Sequence, residues 1–331
     1  MATHFLFLST ARTLSLPKVL RMTDAEAEVV FKRCRWPKTD GQPVCPKCGG
    51  LEAYECRRPK GQLRFRCRYC TGDFTLTSGT LFAAHNLPLR IYIAAILIFC
   101  NEVKGKNALA LSRDLGIHYK SAFVLGHKLR EAMAIEMHGR RIGGAGKEAE
   151  IDGAYFGGYI KPANLKENRK DRRKIPNGKR QCVVVVRERD GHIVPAVFKG
   201  EKEALGFIRR RIVKGTTVYS DESSAWSDLQ ANFTLRQINH QQAYSLAGAC
   251  TNWAESFFSR IRRAELGHHH HIAGPYLGRY AQESAWREDY RRVPNGSQVE
   301  MLASLALSAK PSVDFGGYWQ RHLGAADTLR C

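Results

Sequence analysis

The sequence has no run long and apolar enough to cross a bilayer. Its longest apolar stretch, Ile91 to Cys100, is ten residues, about half of what a membrane-spanning helix requires. Residues Phe5 to Leu8 are too few for the hydrophobic region of a secretory leader, and no clear cleavage site follows them. No membrane partner and a cytoplasmic location are therefore expected. Internal repeats are lacking as well, which sets aside solenoid and propeller architectures. Acidic side chains are scarce: 31 Asp and Glu stand against 52 Lys and Arg, a net charge of +21. That imbalance favours a polyanionic partner, because each neutralised phosphate releases condensed counterions. A merely basic surface, or an arm touching anionic lipid, is the plainer alternative. A hydrophobic content of 44% and an aromatic content of 10% exclude a disordered polymer, and 331 residues allow two or three folding units.

The chain changes character along its length. Residues 1–40 are a lead-in, where Thr23-Asp24-Ala25-Glu26 predicts a helix start and Trp36-Pro37 ends the helix near Arg35. Residues 41–80 are rich in Cys, Gly and Arg and poor in periodicity. Residues 81–145 read as helical, with apolar positions spaced by three and four. Between residues 146 and 300 short β-like runs alternate with helices, and the apolar run Val183 to Val186 predicts a strand covered on both faces. Residues 301–331 are left as a C-terminal tail.

Two Cys-x2-Cys pairs, Cys45 with Cys48 and Cys67 with Cys70, are separated by 18 residues. Paired cysteines in a reducing compartment point to metal rather than disulfide. Four thiolates close a tetrahedral Zn²⁺ shell with no position left for substrate, so the site is expected to be structural. The intervening segment carries almost no core-forming sequence, and the metal would supply the missing folding energy. Arg57, Arg58, Lys60, Arg64, Arg66 and Arg68 surround the pairs, as a ribbon facing nucleic acid requires. Beyond the ribbon, Asn107 to Arg130 predicts helix, tight turn at Gly116, and helix. That pattern fits either a helix-turn-helix, with Tyr119, Lys120, Ser121 and His127 able to approach a groove, or a plain helical hairpin.

Three carboxylates stand at positions suited to metal-assisted phosphoryl transfer, in which ligands from different elements hold ions across the attacking and leaving oxygens. Asp152 lies at the end of a short strand, and Asp221 ends the β-like run Val218-Tyr219-Ser220-Asp221. Glu255 lies in Asn252 to Arg263, where Trp253, Phe257 and Ile261 mark an apolar helical face. Asn252, Glu255, Ser259 and Arg262 share another face, so a helix packed across a sheet would present Glu255 to the aspartates and Arg262 to phosphate. Taken singly, each acid is more commonly explained as a surface carboxylate; the set in this order carries the reading. Lys161 to Arg180 holds nine basic residues against two acidic ones. Arg169, Lys170, Arg172 and Arg173 within it are candidates for DNA-backbone contact, with a solvated loop as the alternative. The run His268 to His271 suits contact near DNA or helix-end packing better than a second metal site.

Together these features resemble the ISXO-like insertion-sequence transposases, a DDE group with an N-terminal zinc ribbon. The resemblance runs from about Leu16 to His322. It rests on Arg35-Trp36-Pro37, both Cys-x2-Cys pairs, Glu150-Ile151-Asp152-Gly153 with Gly157-Gly158, and Ser220-Asp221. It continues through Thr251 to Ser259, the histidine run, Trp286-Arg287 and Gly317 to Arg321. It implies an α/β fold: an RNase H-like mixed five-stranded catalytic sheet preceded by the ribbon and a helix-turn-helix-like region. It further implies Asp152, Asp221 and Glu255 as ligands of Mg²⁺ or Mn²⁺, structural Zn²⁺, and a DNA transposase that binds element ends and transfers strands. Its partners would be terminal repeats and target DNA, with a homo-oligomer assembled on them. Arg262 departs from the lysine that many relatives carry seven residues after the glutamate, but keeps the charge. A nonenzymatic zinc-containing DNA-binding protein, an inactive relative, and an RNase H-like nuclease without strand transfer remain as rivals.

Overall fold

The first helices, α1 (Leu16–Leu20) and α2 (Asp24–Arg35), begin where the sequence supplies side-chain oxygens. Thr23 accepts from the Glu26 N–H at 3.2 Å while the Glu26 carboxylate accepts from the Thr23 N–H at 2.8 Å, a capping box. As predicted, α2 stops at Trp36, ahead of Pro37. The computed structural model describes residues 5–59, 61–84, 86–157, 164–169, 178–238 and 250–323. These form two units, one from the described residues up to Glu136 and from Tyr290 onward, the other Met137–Asp289.

In the first unit, β1 (Ala53–Arg57), β2 (Leu63–Cys67) and β3 (Asp73–Phe74) make an antiparallel ribbon. The ribbon has more core than its sequence suggests. Phe65 stacks on Phe74 at 5.2 Å, and the Trp36 ring meets Phe65 edge-on at 5.6 Å. Because Trp36 lies outside the cysteine segment, this trio is not visible from that segment alone. Next, α3 (Leu89–Asn101) is buried at every position from Tyr92 to Phe99, which explains the apolar run as a core helix. Asn107 caps α4 (Ala108–Leu115), accepting from the Ala110 N–H at 2.8 Å. Gly116 then takes a left-handed φ of +63° that a side chain would resist, and α5 (Tyr119–Met137) follows.

The second unit holds β4 (Glu148–Phe156), β5 (Gln181–Glu188), β6 (Ile193–Phe198), α6 (Leu205–Arg211), β7 (Thr217–Asp221), β8 (Thr234–Ile238), α7 (Asn252–Ala264) and α8 (Leu277–Tyr290). The sheet order is β6-β5-β4-β7-β8, with β6, β5 and β4 antiparallel and β4, β7 and β8 parallel. This is the mixed RNase H-like sheet expected. One face buries Ala149, Ile151, Val184, Val186 and Val218 with Phe207 and Ile208 of α6. The other face meets α7, which lies on β4 and β5. With helices on both sides, Val183 to Val186 are wholly buried.

The last α-helix among the described residues is α9 (Asn295–Ser308), which buries Val299, Leu302, Ala303, Ala306 and Leu307. The sequence suggests a division at 300 and a tail from 301. In the fold α9 begins earlier and lies on α2 and α3, and Ala306 O accepts from the Leu81 N–H at 3.2 Å. A continuous apolar helical face ties this segment to the first unit.

Candidate active site and cysteine cluster

The parallel ladder between β4 and β7 pairs Glu148 with Thr217, Ala149 with Val218 and Glu150 with Tyr219, and then stops. Asp152 and Asp221 each lie two residues past the last pair, so the two-residue period of a strand puts both on the α7 face. Asp221 ends β7 as its sequence suggests. Asp152 does not end β4: the antiparallel ladder with β5 pairs it with Val185 and continues to Phe156. What ends near Asp152 is the pairing on the β7 side.

Each aspartate is held. Asp152 Oδ1 accepts from the Gly153 N–H at 2.7 Å. Asp221 Oδ1 accepts from the Trp226 indole at 2.8 Å and from the Ser223 N–H at 3.3 Å. On α7, Ala254, Phe257, Phe258, Ile261 and Ala264 are buried, which leaves Glu255 on an exposed face. Its Oε1 accepts from the Thr251 hydroxyl at 3.4 Å.

The electrostatics tie these groups together. Burial pushes the Asp152 carboxyl up to about 7, and the charges of Asp221, Glu255 and Glu201 push the same way against the Gly153 N–H. The fourth carboxylate, Glu201, is one that no sequence motif singles out. It sits between β6 and α6 and accepts from the Ser223 hydroxyl at 3.0 Å; burial raises its carboxyl against that hydrogen bond, and the Asp221 charge adds to the rise. Gly153 makes room for it, since a Cβ there would lie 2.8 Å from Glu201 Cγ. No spacing rule links residues 201 and 152, and the only hint is a glycine directly after Asp152. Hard oxygen donors whose charges raise the Asp152 carboxyl form a set that a divalent cation neutralises. The set is more open than the cysteine cluster: among the described residues, only the cysteines include three or more ligand atoms all within 4.8 Å of one another.

Arg262 lies two turns beyond Glu255, exposed, with its guanidinium 5.8 Å from the centre of the Phe156 ring. Arg169 is exposed and donates to Asn164 O at 3.1 Å; Lys170, Arg172, Arg173 and Lys60 lie outside the described residues. In the first unit Lys120 is exposed at the start of α5, its ammonium 5.3 Å over the Trp319 ring. His127 does not approach a groove. It is 1% exposed and stacks on Phe315 at 4.7 Å, because α5 is buried from Val124 to Arg130. In the first turn of α5, Tyr119 and Lys120 remain exposed. In the histidine run, His269 lies edge-on to Tyr280 at 4.6 Å and His271 stands 4.0 Å from Glu265, a helix-end arrangement.

The four cysteines come together as their spacing requires. Cys45 and Cys70 sulfurs lie 3.6 Å apart, as do those of Cys48 and Cys67. Zn–S bonds of about 2.3 Å place tetrahedral sulfurs roughly 3.8 Å apart, so the cluster fits Zn²⁺. The knuckle turns through Gly49 at φ +74°, whose N–H returns to Cys45 O at 2.9 Å. The Cys70 N–H, with that of Tyr69, lowers the Cys67 thiol to about 7, toward the thiolate a metal takes. Of the ribbon arginines, Arg57 pairs with Glu28 at 2.8 Å, Arg64 with Asp73 at 3.1 Å and Arg68 with Glu52 at 3.1 Å. Arg58 and Arg66 are exposed.

Residues 143–289 match the ISXO2-like transposase domain, and residues 22–72 match the transposase zinc-ribbon domain. The first match lies within the second unit and contains all four carboxylates. The second contains all four paired cysteines. No curated protein and no solved structure matches the chain. No helix among the described residues is long and apolar enough to cross a membrane.

Proposed function

Because this chain belongs to the ISXO2-like transposase family, we propose that it binds the ends of an insertion sequence and catalyses DNA cleavage and strand transfer. The observation that supports this reading is that the charges of Asp221, from a second strand, and Glu255, from a helix, both act on the Asp152 carboxyl. These three would hold Mg²⁺ or Mn²⁺. When bound, the ions supply positive charge to the attacking and departing oxygens of an in-line displacement. The protein's own groups do the rest. Trp226 and Ser223 fix the Asp221 carboxylate, Thr251 steadies Glu255, and Arg262 offers its guanidinium to a DNA phosphate. In cleavage a water oxygen gives up a proton and forms a new P–O bond at the element end as the bond to the 3′ oxygen breaks, leaving a 5′-phosphate and a protonated, free 3′-OH. Joining forms a new P–O bond from that hydroxyl to target DNA as another P–O bond breaks, with no covalent protein–DNA intermediate. The zinc ribbon, Lys120, and the segment bearing Arg169, Lys170, Arg172 and Arg173 supply phosphate contacts, and a homo-oligomer assembles on the DNA.

A Mg²⁺-dependent cleavage and joining assay on the DNA flanking the gene tests this, with gel shifts on the same preparations. Asp152→Ala, Asp221→Ala and Glu255→Ala should each abolish both steps while leaving end binding intact. Arg262→Ala should lose on the order of 100-fold in rate, as when one electrostatic donor to a transition state is removed. Glu222→Ala, an exposed neighbour of Asp221, should keep activity. Cutting without joining would make the protein a nuclease, and binding without cutting a DNA-binding protein. Activity in either aspartate variant would overturn the mechanism.

A further inference from the structure

The start of α7 is capped from another element. Thr251 stands at the N-cap, yet its hydroxyl makes no cap hydrogen bond and donates instead to Glu255 at 3.4 Å. The orphan first-turn N–H groups of Trp253 and Ala254 are met by one carboxylate oxygen of Glu150, at 2.9 and 3.1 Å. Glu150 lies on β4, two residues before Asp152, and is completely buried.

Its second oxygen is held in turn. Arg189 Nε donates to it at 3.0 Å, Nη1 reaches Glu148 at 2.8 Å and Nη2 reaches Cys250 O at 3.2 Å. The same guanidinium lies 4.0 Å over the Tyr219 ring, and the Tyr219 hydroxyl donates to Glu148 at 2.6 Å. From β5, Arg187 donates to Trp253 O at 3.0 Å and covers the Trp253 ring at 4.7 Å. The backbone one residue before Glu255 is thus bonded to the side chain two residues before Asp152.

A buried ion pair is weak evidence for stability, since apolar replacements are often as stable. Helix capping alone needs no such device, because a serine or threonine at the N-cap serves. What this arrangement does specify is distance. We propose that Glu150, backed by Arg189, is a positioning residue that clamps the first turn of α7 to β4 and so sets the spacing between the Asp152 and Glu255 carboxylates. This rests on the reading of those two residues as metal ligands.

The test uses the full-length protein, with Glu150→Gln and Arg189→Gln beside wild type and Glu255→Ala. In Glu150→Gln the new amide can still face the helix N–H groups, but then turns its own N–H₂ toward Arg189. Hydrogen exchange in chelator should quicken across residues 251–258 in Glu150→Gln and less so in Arg189→Gln, with residues 183–186 unchanged. Mn²⁺ affinity by calorimetry should fall about tenfold, in line with losses at groups that orient metal ligands. Half-maximal cleavage should shift to higher Mn²⁺ in proportion, with most of the rate recovered at saturation. Unchanged exchange and affinity in Glu150→Gln would overturn the proposal. So would exchange that quickens throughout the sheet in both variants, which marks a merely structural role. If Glu255→Ala binds Mn²⁺ and cleaves like wild type, the reading of the site falls first, and the clamp then positions no ligand.

Discussion

Asp152 carries the largest thermodynamic consequence of any residue at the site. Burial and three neighbouring carboxylates hold its proton to about pH 7, whereas in an unfolded chain an aspartate releases it near pH 4, about its unperturbed value. Between those limits the folded state binds more protons than the unfolded one, so metal-free stability should fall as pH rises from about 4 to about 7. Asp152→Asn removes the ionisable group. In chelator it should match wild type near pH 4 and exceed it above pH 7 by at most about 4 kcal/mol, at about 1.4 kcal/mol for each pH unit between the two titrations. Thermal denaturation at several pH values checks this, and a difference independent of pH would contradict it. The three ligands of the DDE reading were legible because each stands in a local pattern: Asp152 in Glu150 to Gly153, Asp221 at a run's end, Glu255 on a helical face. Glu201 and the capping role of Glu150 were not, because their partners Ser223 and Trp253 lie 22 and 103 positions away.

At the scale of elements, the ribbon and α5 make a contrast. The cysteine spacing predicts the closed cluster, and the structure adds the aromatic trio of Trp36, Phe65 and Phe74. Cys45→Ser or Cys67→Ser should therefore lose about one zinc per chain, the content of a single four-thiolate site, while keeping part of the ribbon's packing. Elemental analysis with near-ultraviolet circular dichroism distinguishes these effects; full zinc retention in both variants would contradict the assignment. In α5 the helix and its glycine turn were legible, but its outward face was not. Helical periodicity identifies residues able to share a face and says nothing of what covers them. Here Phe315 and Tyr318, from the far end of the chain, stand 6.4 and 5.4 Å from Phe123, and Phe315 also covers His127.

For the whole molecule the net charge of +21 dominates. Log affinity for DNA should fall linearly with log salt, by about 0.9 for each phosphate engaged. Replacing Arg169, Lys170, Arg172 and Arg173 together with Ala should flatten the slope by roughly 0.9 for each phosphate no longer neutralised. A fluorescence titration across salt concentrations reads it, and an unchanged slope would return these basic residues to a solvated surface. Charge, metal spacing and strand or helix periodicity are properties of neighbours along the chain, and so the sequence by itself determined the ribbon, the alternation of elements and the three candidate ligands. Tertiary structure alone decided that β4 runs past Asp152, that α9 returns to α2 and α3, and that Glu201 and Glu150 stand beside the site. Those outcomes depend on which apolar faces and hydrogen-bonding groups meet across distant segments. Folding settles that only once every buried donor, acceptor and apolar surface is satisfied together.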